Sequence, residues 1–352
     1  MLILLALLFL TQDSARSTQD AAPPPAHEEI TVTATRKETR LSDTPASVVV
    51  IGRETLEASA AVTLDDTLRQ VPGFTLFRRA GSRTANPTTQ GVSLRGLGGS
   101  GASRALVLED GIPLNDPFGG WIYWGRLPRV DIDRVEVLRG GASDLYGSGA
   151  MGGVVQFIRR NDSGVAAELS YGQQSTANGQ LFAAMQRGEW RGNVSADLFQ
   201  TDGFVLVQPS QRGAVDRAAD SQHTSVDATV ARGGVFLRAS HYDESRNNGT
   251  ALQINETAIR QLTAGADLGA LSLRAYASDQ DYHQTFSAVA ADRQSEHLTV
   301  DQRVPSRGLG ASAQWFAPPI GGKHVIIAGG DARDVEGTSD EGATRVSALV
   351  RP

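Results

Sequence analysis

The chain has no cysteine, only 6 histidines and 3 methionines in 352 residues, and an aromatic content of 6%. Without thiols there is no disulfide scaffold and no lipid-anchored N-terminal cysteine. The histidines show no metal-ligand spacing, so no metal and no cofactor is expected. No charge of one sign dominates: 33 Lys and Arg stand against 39 Asp and Glu, a net charge of −6, which speaks against a basic nucleic-acid surface. Nor does any stretch beyond the N-terminus approach the roughly 18 consecutive apolar residues that a membrane helix needs. If the chain enters a membrane, it does so with strands.

What is abundant is glycine, 38 in all, as befits a turn-rich β protein. Residues Leu2 to Leu10 form an apolar run that reads as the core of a secretory signal peptide, although no Lys or Arg precedes it. The signal peptide and a polar leader containing Pro23, Pro24 and Pro25 are assigned to residues 1–26. A compact α+β region follows. Ala46 to Ile51 reads as a strand, Arg53 to Ala58 and Leu64 to Gln70 have helical spacing, and Pro72-Gly73 stops the second helix. Val92 to Arg95, Ala105 to Glu109, Val135 to Leu138 and Val154 to Ile158 read as short strands, with Asp110-Gly111 as a turn.

After Arg160 the period changes to two. From Trp190 to Phe199, one face carries Trp190, Gly192, Val194, Ala196 and Leu198, and the other Arg191, Asn193, Ser195, Asp197 and Phe199. Leu262 to Leu268, Leu271 to Ser278 and Leu309 to Trp315 repeat the pattern, as strands with a lipid face and a lumen face would. A soluble sandwich also alternates, so the period by itself leaves both open. Gly96, Gly98 and Gly101, and again Gly147, Gly149 and Gly152, match the dinucleotide-binding spacing, but neither set opens a crossover helix.

Glu28-Glu29-Ile30-Thr31-Val32-Thr33-Ala34 is a short β-prone segment behind a flexible leader, suited to pairing with an open sheet edge of another protein. Glu29 to Ala34 resembles the TonB box of TonB-dependent receptors, and the following residues resemble that family's plug. The match runs through Thr44 to Ile51, Leu68 to Phe74, Val92 to Gly96 and Val107 to Leu114. It closes on the most specific stretch, Ile132 to Gly140 leading into Ala142 to Val155.

The resemblance implies a fold class of an α+β plug followed by an antiparallel transmembrane β-barrel. On that reading residues 27–36 hold the box, 37–160 the plug, and 161–352 the first part of the barrel. It also implies active import across the outer membrane of a scarce nutrient, a ferric siderophore or cobalamin-like molecule, with no covalent chemistry. The expected partners are TonB with ExbB and ExbD, the nutrient, and outer-membrane lipid. Glu29, Ile30, Thr31, Val32, Thr33 and Ala34 are the expected TonB contacts, and Arg95 and Arg139 the expected plug-to-barrel ion pairs. Two plug loops are expected to face the ligand through Arg78, Arg79, Arg83, Asn115, Asp116, Phe118, Trp121 and Tyr123. A passive porin, or a non-transporting ligand-binding or signalling outer-membrane protein, is the alternative. About eleven candidate strands follow Val165, half of the roughly 22 of such transporters, and the last residues lack a terminal aromatic; the barrel is therefore expected to be truncated.

Overall fold

The computed structural model describes residues 30–31, 39–41, 46–77, 81–97, 101–317 and 326–343. Two short strands, β1 (Ile30–Thr31) and β2 (Thr39–Arg40), pair antiparallel ahead of the first domain.

That domain contains β3 (Val48–Gly52), α1 (Arg53–Ala58), α2 (Leu64–Leu68), β4 (Phe74–Leu76), β5 (Val92–Leu94), β6 (Leu106–Glu109), β7 (Ile112–Pro113), β8 (Ile132–Arg139), α3 (Ser143–Tyr146) and β9 (Gly153–Arg159). Five strands form one mixed sheet in the order β3-β8-β9-β6-β7, with β6 parallel to β9, and β4 and β5 make a separate pair. The β8 and β9 runs are apolar and β-branched because both faces are covered. Val135, Val137, Val155 and Phe157 pack with Leu56, Leu68 and Trp124 in one core. Burying a side chain such as Phe157 contributes about 2–3 kcal/mol. Helix α2 ends at Leu68, two residues before the expected Gln70, and the chain turns through Gly73 at φ +86° into β4.

A second sheet follows without a break: β10 (Gly164–Gly172), β11 (Thr176–Arg187), β12 (Trp190–Thr201), β13 (Ser221–Arg232), β14 (Val235–Asn247), β15 (Ile254–Leu268), β16 (Leu271–Val289), β17 (Glu296–Phe316), β18 (Ile327–Gly337) and β19 (Asp340–Ala343). Each strand pairs antiparallel with the next, except that β18 and β19 both lie on β17. The sheet has ten strands among the described residues. The longest, β17, runs for 21 residues.

The connections are asymmetric. At one end β11 meets β12, β13 meets β14, and β15 meets β16 through two-residue turns led by Gly188, Gly233 and Gly269, with φ between +57° and +63°. This is the left-handed backbone that a right-twisted hairpin needs and glycine adopts freely. At the other end the 202–220 loop and the 248–253 and 290–295 loops are longer; the exceptions are the three residues from β10 to β11 at this end and the ten from β17 to β18 at the first. Short turns on one side and long loops on the other are the asymmetry of outer-membrane barrels, with the short turns in the periplasm.

The register also gives the strand tilt. On β10 the outward apolar residues run from Val165 to Tyr171, on β17 from Leu309 to Trp315, and the lower end of the first run is in register with the upper end of the second. An apolar band that must stay level in a membrane thus slides six residues along the strands across seven strand steps. At about 3.3 Å per residue and about 4.8 Å per step, the tilt is roughly 30°, near the range of closed barrels. Val165, Leu169, Tyr171, Val194, Leu198 and Leu262 are all exposed on this band, and Trp190 and Trp315 border it at the short-turn end.

Candidate functional site at the interface of domain and sheet

The first domain lies on the inner face of the second sheet, and the contact is mostly polar. Val130 N–H donates to Gln180 Oε1 at 3.2 Å, Arg126 to Gln261 Oε1 at 2.9 Å, and Ser225 Oγ to the Arg126 carbonyl at 3.0 Å. Backbone approach is close: a Cβ on Gly125 would lie 2.7 Å from the His223 ring. Arg246 donates to the carbonyls of Ser82 (3.0 Å) and Ala85 (2.5 Å), so even the 81–90 loop is tied to the sheet.

The centre of the interface is a buried charge cluster. The first domain supplies Glu109 from β6, Asp110 from the following turn, Asp131 ahead of β8, and Arg159 at the end of β9. The sheet supplies Ser195 from β12, Asp227 from β13 and Arg238 from β14. Arg159 sits 2.9 Å from Glu109 and 2.8 Å from Asp227, and also pairs with Asp131. Arg238 answers from the sheet, 3.0 Å from Glu109 and 2.5 Å from Asp110. Ser195 Oγ donates to Asp131 at 2.7 Å. Burial tends to raise the Asp110 carboxyl, but Arg238 and Arg159 outweigh it and hold it below the usual carboxylate range. Asp131 goes the other way: burial dominates, and its carboxyl is raised to about 6 in spite of Arg159.

Toward the long-loop end, an aromatic cluster continues the contact. Trp121 packs 5.5 Å from Tyr282 and Tyr123 5.8 Å from Tyr242, ring centre to ring centre, with Ile259 and Val304 filling between. Asp116 is buried at the head of this loop. It accepts from the N–H groups of Phe118 (2.9 Å) and Gly119 (2.5 Å) and from Gln280 of β16 (2.7 Å). Burial raises its carboxyl above the usual range, against these three donors.

These geometries sort the residues that the sequence singled out. Asn115 holds its own domain together, accepting from Val107 N–H at 2.9 Å and donating to the Ala105 carbonyl at 3.3 Å. Trp121 and Tyr123 are buried against the sheet, whereas Phe118 is 47% exposed. Arg83 is half-buried, and its carbonyl accepts from Ser221 Oγ at 2.6 Å. Arg139 donates to Ser47 Oγ at 2.7 Å inside the first domain, and Arg95 is exposed at φ +55°. Among the described residues neither forms an ion pair with the sheet; that contact is made through Arg159, Arg129 and Arg238. Of the expected TonB contacts, Ile30 and Thr31 form β1, while Glu29, Val32, Thr33 and Ala34, like Arg78 and Arg79, lie outside the described residues.

The model of the TonB-dependent receptor plug domain matches residues 40–154. The first domain is a plug domain of the TonB-dependent receptor kind. The second sheet is wall of an outer-membrane β-barrel. A vitamin B12 transporter of Vibrio vulnificus is 30% identical over 187 residues, covering 52% of this chain and 30% of that protein. An iron-regulated outer membrane virulence protein of Vibrio cholerae is 34% identical over 209 residues, covering 56% of this chain and 28% of that protein. The chain thus spans less than a third of the curated relatives it matches. In fold it resembles the pyoverdine receptor of Pseudomonas aeruginosa, with a TM-score of 0.64 at 17% identity over 89% of this chain and 49% of that one. The alcaligin receptor of Bordetella pertussis gives 0.61 at 18% identity over 90% of this chain and 51% of that one. Three of these four are named as receptors or transporters.

Arg159, Arg238, Asp131 and Asp227 were not picked out from the sequence. A signal was present nonetheless: Asp227 between Val226 and Ala228, and Arg238 between Leu237 and Ala239, are charges on the inward side of apolar alternation. A charge placed there needs a buried partner.

Proposed function

We propose that this chain forms the plug and adjoining barrel wall of an importer that takes up a scarce nutrient, of ferric siderophore or cobalamin type, when TonB pulls the plug away from the wall. The observation that carries this reading is the character of the plug–wall contact. It is built from ion pairs and hydrogen bonds, with few apolar contacts outside the Trp121 and Tyr123 cluster. Polar partners can be exchanged for water as the surfaces part, so such a contact separates at lower cost than a dry apolar core of the same area. A force applied near the N-terminus acts on β1 and then on β3, the edge strand of the plug sheet.

In this reading Ile30 and Thr31 leave β2 and pair instead with a strand of TonB, coupled through ExbB and ExbD. Phe118 and Arg83 are the ligand contacts best supported by the geometry, since Trp121, Tyr123, Asp116 and Asn115 are engaged in holding the loop. Arg78 and Arg79 complete the ligand-facing set, and Arg95 and Arg139 remain available to further wall strands.

The test is uptake of an iron-loaded siderophore or cobalamin by cells carrying the full receptor. Deletion of TonB should stop accumulation while leaving surface binding intact; uptake that continues without TonB rejects the importer in favour of a passive pore.

A further inference from the structure

The ion pairs of the cluster between plug and wall are shared unevenly. Four carboxylates, Glu109, Asp110, Asp131 and Asp227, pair with two guanidiniums, Arg159 and Arg238, while Arg126 near Glu109 and Arg160 near Asp131 act on it from its edge. Glu109, Asp131, Asp227, Arg159 and Arg238 are all buried. Asp110, on the turn at the rim, keeps 22% of its side chain exposed and can be screened by water. Water cannot do the same for Asp131, which is 1% exposed.

Its two oxygens are also treated differently. Oδ2 takes the Ser195 hydroxyl and the Arg159 guanidinium, while Oδ1 is buried with no hydrogen-bond partner among the described residues. An ionised carboxylate with a bare buried oxygen is costly, and a neutral carboxyl in the same place costs less because no charge is taken out of water. The groups facing Asp131 are Arg159 from β9, Glu109 from β6, Ser195 from β12 and Asp227 from β13, with Arg238 of β14 behind them on Glu109 and Arg160 nearby but paired with Asp162. The like charges on Glu109 and Asp227 oppose its ionisation.

Resting on the importer reading above, we propose that Asp131 binds a proton when the plug is docked and gives it up when the plug leaves the wall, so that acidity tightens the plug's hold. The proton is taken from solvent onto a carboxylate oxygen of Asp131 and returned to solvent on release; no other bond is made or broken. The raised pKa of the docked group agrees with this direction. A carboxyl whose pKa is higher docked than free favours docking most below its free value of about 4. That advantage is lost as pH rises through about 6, the docked value. The difference of about two units corresponds to a roughly 100-fold change in the docking equilibrium.

The experiment uses the full receptor purified in detergent and has two readouts that do not depend on transport. The first is the urea concentration at which the plug detaches, followed by tryptophan fluorescence between about pH 4 and pH 7.5. Wild type should lose resistance as pH rises, Asp131→Asn should be flat and at least as resistant as wild type at the acid end, and Asp131→Ala should be weak throughout. The second is the infrared absorbance of protonated carboxyl groups near pH 5, which should be smaller in Asp131→Asn than in wild type by the share of one carboxyl, the other buried carboxyls being common to both. A wild-type midpoint that is flat or rises with pH, or a protonated-carboxyl absorbance that Asp131→Asn leaves unchanged, overturns the proposal. A receptor that shows the proton but does not need TonB would instead defeat only the importer reading.

Discussion

Arg238 shows how much of the plug's hold rests on single side chains. Among the described residues it is the only sheet residue that forms ion pairs with both Glu109 and Asp110, and both pairs cross the interface. Arg238→Ala leaves Glu109 with Arg159 alone and takes from Asp110 its ion-pair partner, a loss near the low end of the roughly 3–5 kcal/mol of a broken buried pair. The plug should detach at distinctly lower urea while the barrel's own resistance is unchanged; equal loss from both would mean that Arg238 serves the sheet alone. Phe157 gives the complementary case inside the plug. Its ring is fully buried between β8, β6 and Trp124, and Phe157→Ala should cost about 3–5 kcal/mol of plug stability, read as a lower plug unfolding midpoint.

At the scale of elements, the loops at the outer end are fastened to one another. Arg293 in the 290–295 loop grips Asp216 of the 202–220 loop, with Nε 2.9 and 3.0 Å and Nη2 2.5 Å from the carboxylate. The Gly213 N–H adds a bond of 2.8 Å. Arg293 holds Asp216 at about 2, below the usual carboxylate range. Because the constant is lowered in the folded loop, the clasp is fully present above about pH 4 and is lost as pH falls toward 2. Protease cleavage within 202–220 should therefore be slow and independent of pH from about 5 to 8 in wild type, and fast in Asp216→Ala; equal cleavage of the two would show that the clasp does not hold the loop.

The elements themselves were largely legible in the sequence. Strands β5, β6, β8 and β9 stand within a few residues of the apolar runs that announced them, and α1 occupies the expected Arg53 to Ala58. The inward and outward faces of β12 alternate as read, because a half-buried strand writes its burial into every second residue. The charge cluster was not legible in the same way. Arg159 and Asp227 are 68 positions apart and meet only because β9 of the plug lies against β13 of the wall, a packing that no local period encodes. Arg95 and Arg139 drew attention because each precedes a glycine at a strand end, which reports on the backbone turn and not on what the side chain meets.

At the scale of the whole molecule, two bodies with different chemistry are held in register. The plug has an apolar core of its own, and the wall keeps its apolar residues outward for lipid and its polar ones inward. What joins them is polar, so they can part without either unfolding. Ile30→Pro removes a backbone donor from the segment that TonB is proposed to pair with, and should abolish energised uptake while ligand binding persists. Unchanged uptake in that variant would move the point of engagement elsewhere.

The plug and the wall strands of this chain carry no cysteine of their own, so a thiol pair placed across their interface reports on the movement of the plug. Asp116 and Gln280, joined at 2.7 Å across the interface, can be replaced as a pair by cysteines and linked by a short reducible thiol crosslinker. The account predicts that the linked receptor binds its nutrient but imports none, and that reduction restores import; a linked receptor that transports at the rate of the reduced one would contradict it.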